Sequence, residues 1–165
     1  MARPAMQGGM VAPPPSRQMR VPTEVPAKLQ RPDLPPCWLE LVGDGAVLDT
    51  QCDSLAVTSA FVETFAKRLK KRHNVVLEAP PAGGAPAARV QVISMEEGNH
   101  FLRFLIGLFA GQAHFEVGGT VIGPAGEQKP FRFRVRSFGS WFTTNEGCLK
   151  MAASNAAVRV AKLLK

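Results

Sequence analysis

Three arginines at every second position, Arg132, Arg134 and Arg136 in "FRFRVRSF" (131–138), carry the strongest chemical signal in the sequence. On a strand, that spacing places all three guanidiniums on one face, where each can meet a carboxylate or phosphate bidentately. The same pattern suits a solvated sheet face, or an edge strand whose charges discourage edge-to-edge pairing. A second basic run, "KRLKKRH" (67–73), looks like a nucleic-acid patch. On a helix, however, its charges spread around the cylinder and complement the negative end of the dipole. Nucleophiles and bases are sparse. His73, His100 and His114 fall in different segments, and Cys148 lies in the first turn of a helix with no base paired to it. There are no paired carboxylates, no Ser-His-Asp set, no CxxC and no Cys/His pair at zinc spacing. These residues predict a non-enzymatic chain with no cofactor and no metal.

One further stretch invites a chemical reading. "EGNHFLRFLIGLFAGQAHFEVGG" (97–119) is apolar from Phe101 to Ala110 except for Arg103, and glycines stand at Gly98, Gly107 and Gly111. It is too short to span a bilayer and contains a charge. It also lacks the Lys-Ser/Thr pair of a phosphate-binding loop. The sequence therefore predicts a glycine-jointed connection between two strands, with an exposed apolar wedge as the alternative. Arg103 is expected to pair with Glu96, Glu97 or Glu116, or to hydrogen-bond the backbone of the bend.

The elements that must hold these residues follow from periodicity. "CWLELV" (37–42) reads as a first strand. Leu55, Phe61, Val62, Phe65 and Leu69 recur at helical spacing, with Asp53 or Ser54 as cap and Asn74 as a left-handed C′ residue. "VVLEA" (75–79) follows as a strand and "PPAGGAPA" (80–87) as a loop. Period-2 alternation marks three longer strands at 88–95, 112–122 and 131–138, the last two joined through the turn "GPAGE" (123–127). In the second of them Ala113, Phe115, Val117, Gly119 and Val121 oppose His114, Glu116 and Thr120. A closing helix carries Leu149, Ala152, Ala153, Ala156, Val160 and Leu163 on one stripe, with Thr143 and Glu146 spaced as a capping box. The order β-α-β-β-β-β-α predicts an α+β two-layer sandwich: a mainly antiparallel sheet of four to five strands against two helices.

At 165 residues and 17.8 kDa, with 45% apolar residues, the chain can fill the core of one domain. Residues 1–36, rich in Pro, Gly, Met and Arg without an apolar period, read as a disordered tail, and residues 37–165 as the folded domain. The formal charge of +7 favours acidic partners, and part of it sits in that tail. Three cysteines permit one disulfide at most. No run reaches the length of a membrane span and no signal-peptide core is present, so the chain reads as cytoplasmic if its start is genuine.

The run Gly98, Arg103, Gly107 and Ala110-Gly111, followed by an alternating strand and the "GPAGE" turn, resembles the bacterial domain-of-unknown-function family 4410. "FAKRLKKRHNVVLE" upstream and "MAASNAAVRVAKLL" downstream agree with it, so the resemblance covers roughly residues 50–165. Two features depart from the family pattern. Gly123 stands where the family's turn has Asp, and "LPPC" (34–37) makes a poor lipoprotein cleavage site. The resemblance implies an interaction or assembly module of the bacterial envelope, in the periplasm or at the outer membrane, with a protein partner or a second copy as its ligand. The alternative expectation is a nucleic-acid binder, because helix, three antiparallel strands and helix is also the order of a double-stranded-RNA-binding domain.

Overall fold

The computed structural model describes residues 18–99, 111–137 and 143–164. Its elements are β1 (Pro36–Val42), β2 (Val47–Asp49), α1 (Ser54–Leu69), β3 (Asn74–Val76), β4 (Ala87–Glu96), β5 (Ala113–Ile122), β6 (Gln128–Ser137) and α2 (Asn145–Leu163), preceded by a 3₁₀ turn at Ala27–Leu29. The strands form one six-stranded mixed sheet in the order β3-β1-β4-β5-β6, with β2 also pairing β4. The long strands β4, β5 and β6 run antiparallel to one another. β1 lies parallel to both β3 and β4, because α1 carries the chain back between β1 and β3 as a crossover. This is the expected α+β arrangement of a sheet against two helices, with one strand more. The extra strand, β2, pairs three residues with Ser94–Glu96 and is too short to show a period of its own.

Alternation along the long strands sets which side is buried. Val90 and Val92 of β4, and Ala113, Phe115, Val117 and Val121 of β5, are fully buried on the helix side. The β4–β5 register shifts between Val92 and Ser94, leaving Ile93 as the extra residue of a bulge. The shift returns Met95 to the helix side opposite Phe115 and turns Ser94 and Glu96 to the other face. α1 buries Val57, Phe61, Val62, Phe65 and Leu69, and the Phe61 ring lies 6.2 Å from that of Phe115. Each such side chain taken fully out of water contributes about 1.5–3 kcal/mol. α2 buries Leu149, Ala152, Ala153, Ala156, Ala157 and Val160, and these small residues let it lie close against α1. A hydrogen bond from Thr64 Oγ1 to Ser154 Oγ (3.0 Å) joins the two helices.

Three local expectations are corrected. The α2 cap is Thr144, whose Oγ1 accepts from Gly147 N–H at 3.0 Å, and not Thr143. Glu146 therefore falls one place short of a capping box and instead pairs with Lys150 at 2.6 Å. Asn74 is not left-handed, since no described residue other than glycine has positive φ. It opens β3, pairs with Pro36, and accepts Arg31 N–H on its side-chain oxygen. Finally, ordered contacts begin well before Cys37. Val25 and Leu29 are 5% and 8% exposed within the core cluster, Arg20 N–H donates to Ser54 Oγ, and Thr58 Oγ1 donates to the Arg20 carbonyl. Residues 18–36 show no period because they follow an irregular path along the domain and supply isolated apolar side chains to it.

Candidate functional site

The arginine stripe lies on the sheet face turned away from the helices. β5 pairs with β6 so that His114, Glu116 and Gly118 stand opposite Arg136, Arg134 and Arg132. The ion pairs run diagonally: Arg132 Nε to Glu116 at 2.7 Å, and Arg134 to both Glu96 oxygens at 3.0 and 3.2 Å. These carboxylates come from β5 and, beyond it, β4, so only the sheet register reveals that two of the three arginines are already paired. Arg136 has no ion pair among the described residues. His114, between these charges, keeps a buried Nδ1 without a hydrogen-bond partner among the described residues. Burial and the adjacent Arg134 and Arg136 hold its pKa below the ordinary value, with Glu96 opposing them.

β6 ends the sheet, and α2 packs against it. Between them runs a groove of about 450 Å³, lined by β6 from Arg134 to Arg136 and by Asn155, Val158, Arg159 and Lys162 of α2. Among the described residues no carboxylate lines it. Arg159 and Lys162 follow Asn155 at helical spacing (i+4, i+7), so one side of α2 delivers all three to the groove. Phe131 and Phe133, on the helix side of β6, are only half-buried, their ring centroids are 5.4 Å apart, and the Arg159 guanidinium carbon sits 5.9 Å from the Phe133 centroid. Sequence reading missed Arg159 and Lys162 as partners of the stripe, because they lie more than twenty residues away along the chain.

The glycine motif has a structural meaning at its two described ends. Gly98 leaves β4 and Gly111 enters β5, and the two backbones touch: a Cβ on Gly98 would collide with the Gly111 carbonyl oxygen. Gly111 has φ +68°, and a Cβ there would meet the Asn99 carbonyl. Arg103 and Gly107 lie outside the described residues, as does His100. Beside this stem sits Glu97, which the sequence suggested only as a partner for Arg103. The Glu97 carboxylate accepts from Thr50 Oγ1 (2.7 Å), Gln51 N–H (3.1 Å) and Cys52 Sγ (3.2 Å), and Glu97 N–H donates to the Asp49 carbonyl. Burial opposes its ionisation, but the bonds from Thr50, Cys52 and the backbone N–H groups outweigh burial and hold its pKa below the ordinary value. Glu97 thereby fastens the turn before α1 to the stem between β4 and β5.

The remaining reactive groups are not brought together. His114 lies on the face away from the helices, whereas Cys148 is fully buried in the core. None of the three cysteines is in a disulfide. Burial pushes Cys37 up to about 12, and burial also leads the rise at Cys52. Among the described residues no group of three or more His, Cys, Asp or Glu side chains converges to hold a metal. Among them also, no helix is long and apolar enough to cross a membrane. The hairpin turn compensates for Gly123: the Glu127 carboxylate occupies the space where a Gly123 side chain would project, and accepts from Ala125 N–H at 3.1 Å.

No curated protein is significantly similar to the chain. A solved structure described as "Crystal structure of uncharacterized protein" matches with a TM-score of 0.42 and 11% identity, over 89% of this chain and 99% of that one. A family model matches residues 48–147, from β2 into the first turn of α2. With the stem glycines, the arginine-bearing hairpin and the Glu97 contacts all inside that span, the chain belongs to the family described as domain of unknown function (DUF4410).

Proposed function

We propose that the chain is a non-enzymatic interaction or assembly module, associated with the bacterial cell envelope, that engages a protein partner along its β6 side. The observation that carries this reading is the groove between β6 and α2, lined by Arg134, Arg136, Arg159 and Lys162 with no carboxylate among the described residues. Arg134 is neutralised by Glu96, but Arg136, Arg159 and Lys162 have no ion pair among the described residues and repel one another, and an acidic partner relieves that repulsion. The isolated His114 and the raised thiols of Cys37 and Cys52 support a binding role over a catalytic one. The test is purification of the full chain from its source cell, with and without Arg136→Glu and Arg159→Glu together. A specific protein that accompanies the parent and not the folded variant is the expected result. Equal recovery with both chains refutes the reading. Fractionation tests the location, and a chain recovered only from the cytosol defeats the envelope association.

Nucleic acid is the second reading, supported by the same cations. Against it, Lys150 at the start of α2 is already paired with Glu146, which leaves that helix entry without the phosphate-gripping lysines of a double-stranded-RNA-binding domain. Binding to duplex RNA or DNA that falls steeply with salt would favour it.

A further inference from the structure

We propose that the outer edge of β6 takes up an extended segment of another protein as an added strand, and that this segment alternates acidic with apolar residues. The inference rests on the reading that the β6 side is where the chain engages a protein. β6 is ten residues long and ends the sheet, and no described strand pairs with its outer edge. On such an edge every second residue turns its N–H and C=O outward, a row that fits an extended backbone. Pro130 has no N–H to offer, so the usable run is 131–137.

Side chains on the two faces of β6 specify what that strand must carry. On the helix side, half-buried Phe131 and Phe133 offer apolar surface. On the other side Arg132, Arg134 and Arg136 stand in a row, and Arg136 is without an ion pair among the described residues. Arg159 and Lys162 of α2 line the groove from the helix side, with Arg159 over Phe133. Directly opposed residues on paired strands lie about 4.5–5.5 Å apart at Cβ, so carboxylates on the added strand come within reach of the arginines. The residues between them fall on the phenylalanines.

Other occupants fit less well. A second copy of β6, paired face to matching face, would set arginine against arginine, which is repulsive. Residues 1–17 of the chain contain no Asp or Glu, so they offer no complement either. A nucleic-acid strand would use the cations but leave the backbone edge unpaired.

The test uses the full chain and a labelled peptide of alternating Glu and Val residues, followed by fluorescence anisotropy and by hydrogen exchange of the β6 amides. Three control peptides accompany it: alternating Lys and Val, Glu and Val in two separate blocks, and the alternating Glu/Val peptide with prolines at its central Val positions. The expected result is binding by the Glu/Val peptide alone, slowed exchange within 131–137, and affinity weakened at least about tenfold by Arg136→Glu with Arg159→Glu. Both side chains are exposed, and a thermal melt checks that the variant folds. Absence of binding overturns the inference. So does equal binding by the block or proline peptide, because charge alone would then suffice, and so does displacement of the peptide by a single-stranded oligonucleotide at lower concentration. If the peptide fails while the double variant still loses its cellular partner, strand addition falls and the protein-engagement reading stands. If the variant keeps that partner, the reading itself falls.

Discussion

Glu97 gives the sharpest prediction about how this domain is held together. Its carboxylate accepts from Thr50 Oγ1, Gln51 N–H and Cys52 Sγ at 2.7, 3.1 and 3.2 Å. Removing it leaves three donors to find new partners at the junction of β2, α1 and the β4–β5 stem. A hydrogen bond to a charged group contributes about 1.5–3 kcal/mol when buried. Glu97 and Cys52 are only partly buried and Gln51 is exposed, so water replaces much of what is lost. A total of about 2 kcal/mol is expected for Glu97→Ala after that discount, and about half as much for Glu97→Gln, which keeps one acceptor oxygen. In chemical denaturation this appears as a lower midpoint at unchanged slope. A double-mutant cycle with Thr50→Val should give a coupling near 1 kcal/mol. The pH dependence follows from the depressed pKa. An unfolded Glu titrates near 4.3, and the folded state holds this one lower. Between the two values the unfolded chain binds more protons, so stability rises with pH there. The stabilisation is fully present above about pH 5 and is lost as pH falls through the folded pKa. The gap between parent and Glu97→Gln should therefore shrink toward pH 3. A Glu97→Ala cost under about 0.5 kcal/mol, or a gap to Glu97→Gln that does not change over that range, would refute the account.

Other expectations are simpler to state. Gly98→Ala must push apart the touching backbones of Gly98 and Gly111 and should cost about 1–3 kcal/mol, read as a lower thermal midpoint; a neutral result means the stem is looser than described. Gly111→Ala at φ +68° should cost about 1–2 kcal/mol in the same assay. Thr144→Ala removes the α2 cap and should cost about 1 kcal/mol by denaturant melt, with no change in the native fold by circular dichroism. His114 should titrate below its ordinary value in an NMR pH series. Because its folded pKa is lowered, it makes the fold less stable as pH drops through about 6.5, and a midpoint above that value would contradict its placement.

Much of the fold was written in local periods. The alternation of Phe115 and Val117 with His114 and Glu116, and of Phe133 and Val135 with Arg132 and Arg134, assigns the faces of β5 and β6. The spacing of Phe61, Phe65 and Leu69 did the same for α1. These patterns are legible because a period of two or 3.6 is a property of consecutive residues. Where the signal was shorter than one period it failed. Val47–Asp49 became a strand only by pairing with β4, and residues 18–36 became ordered only by resting on the domain.

The candidate site divides along the same line. Sequence alone determined that three arginines share a face and that glycines bracket the link between β4 and β5. Only the tertiary structure decided that Glu116 and Glu96 pair with two of those arginines, that Arg159 and Lys162 join Arg136 along β6, and that Gly98 and Gly111 are needed because two backbones touch. The reason is physical. A side chain's direction is set by its own few neighbours in the chain, whereas its partner is set by register and by the packing of helix on sheet, which join residues tens of positions apart.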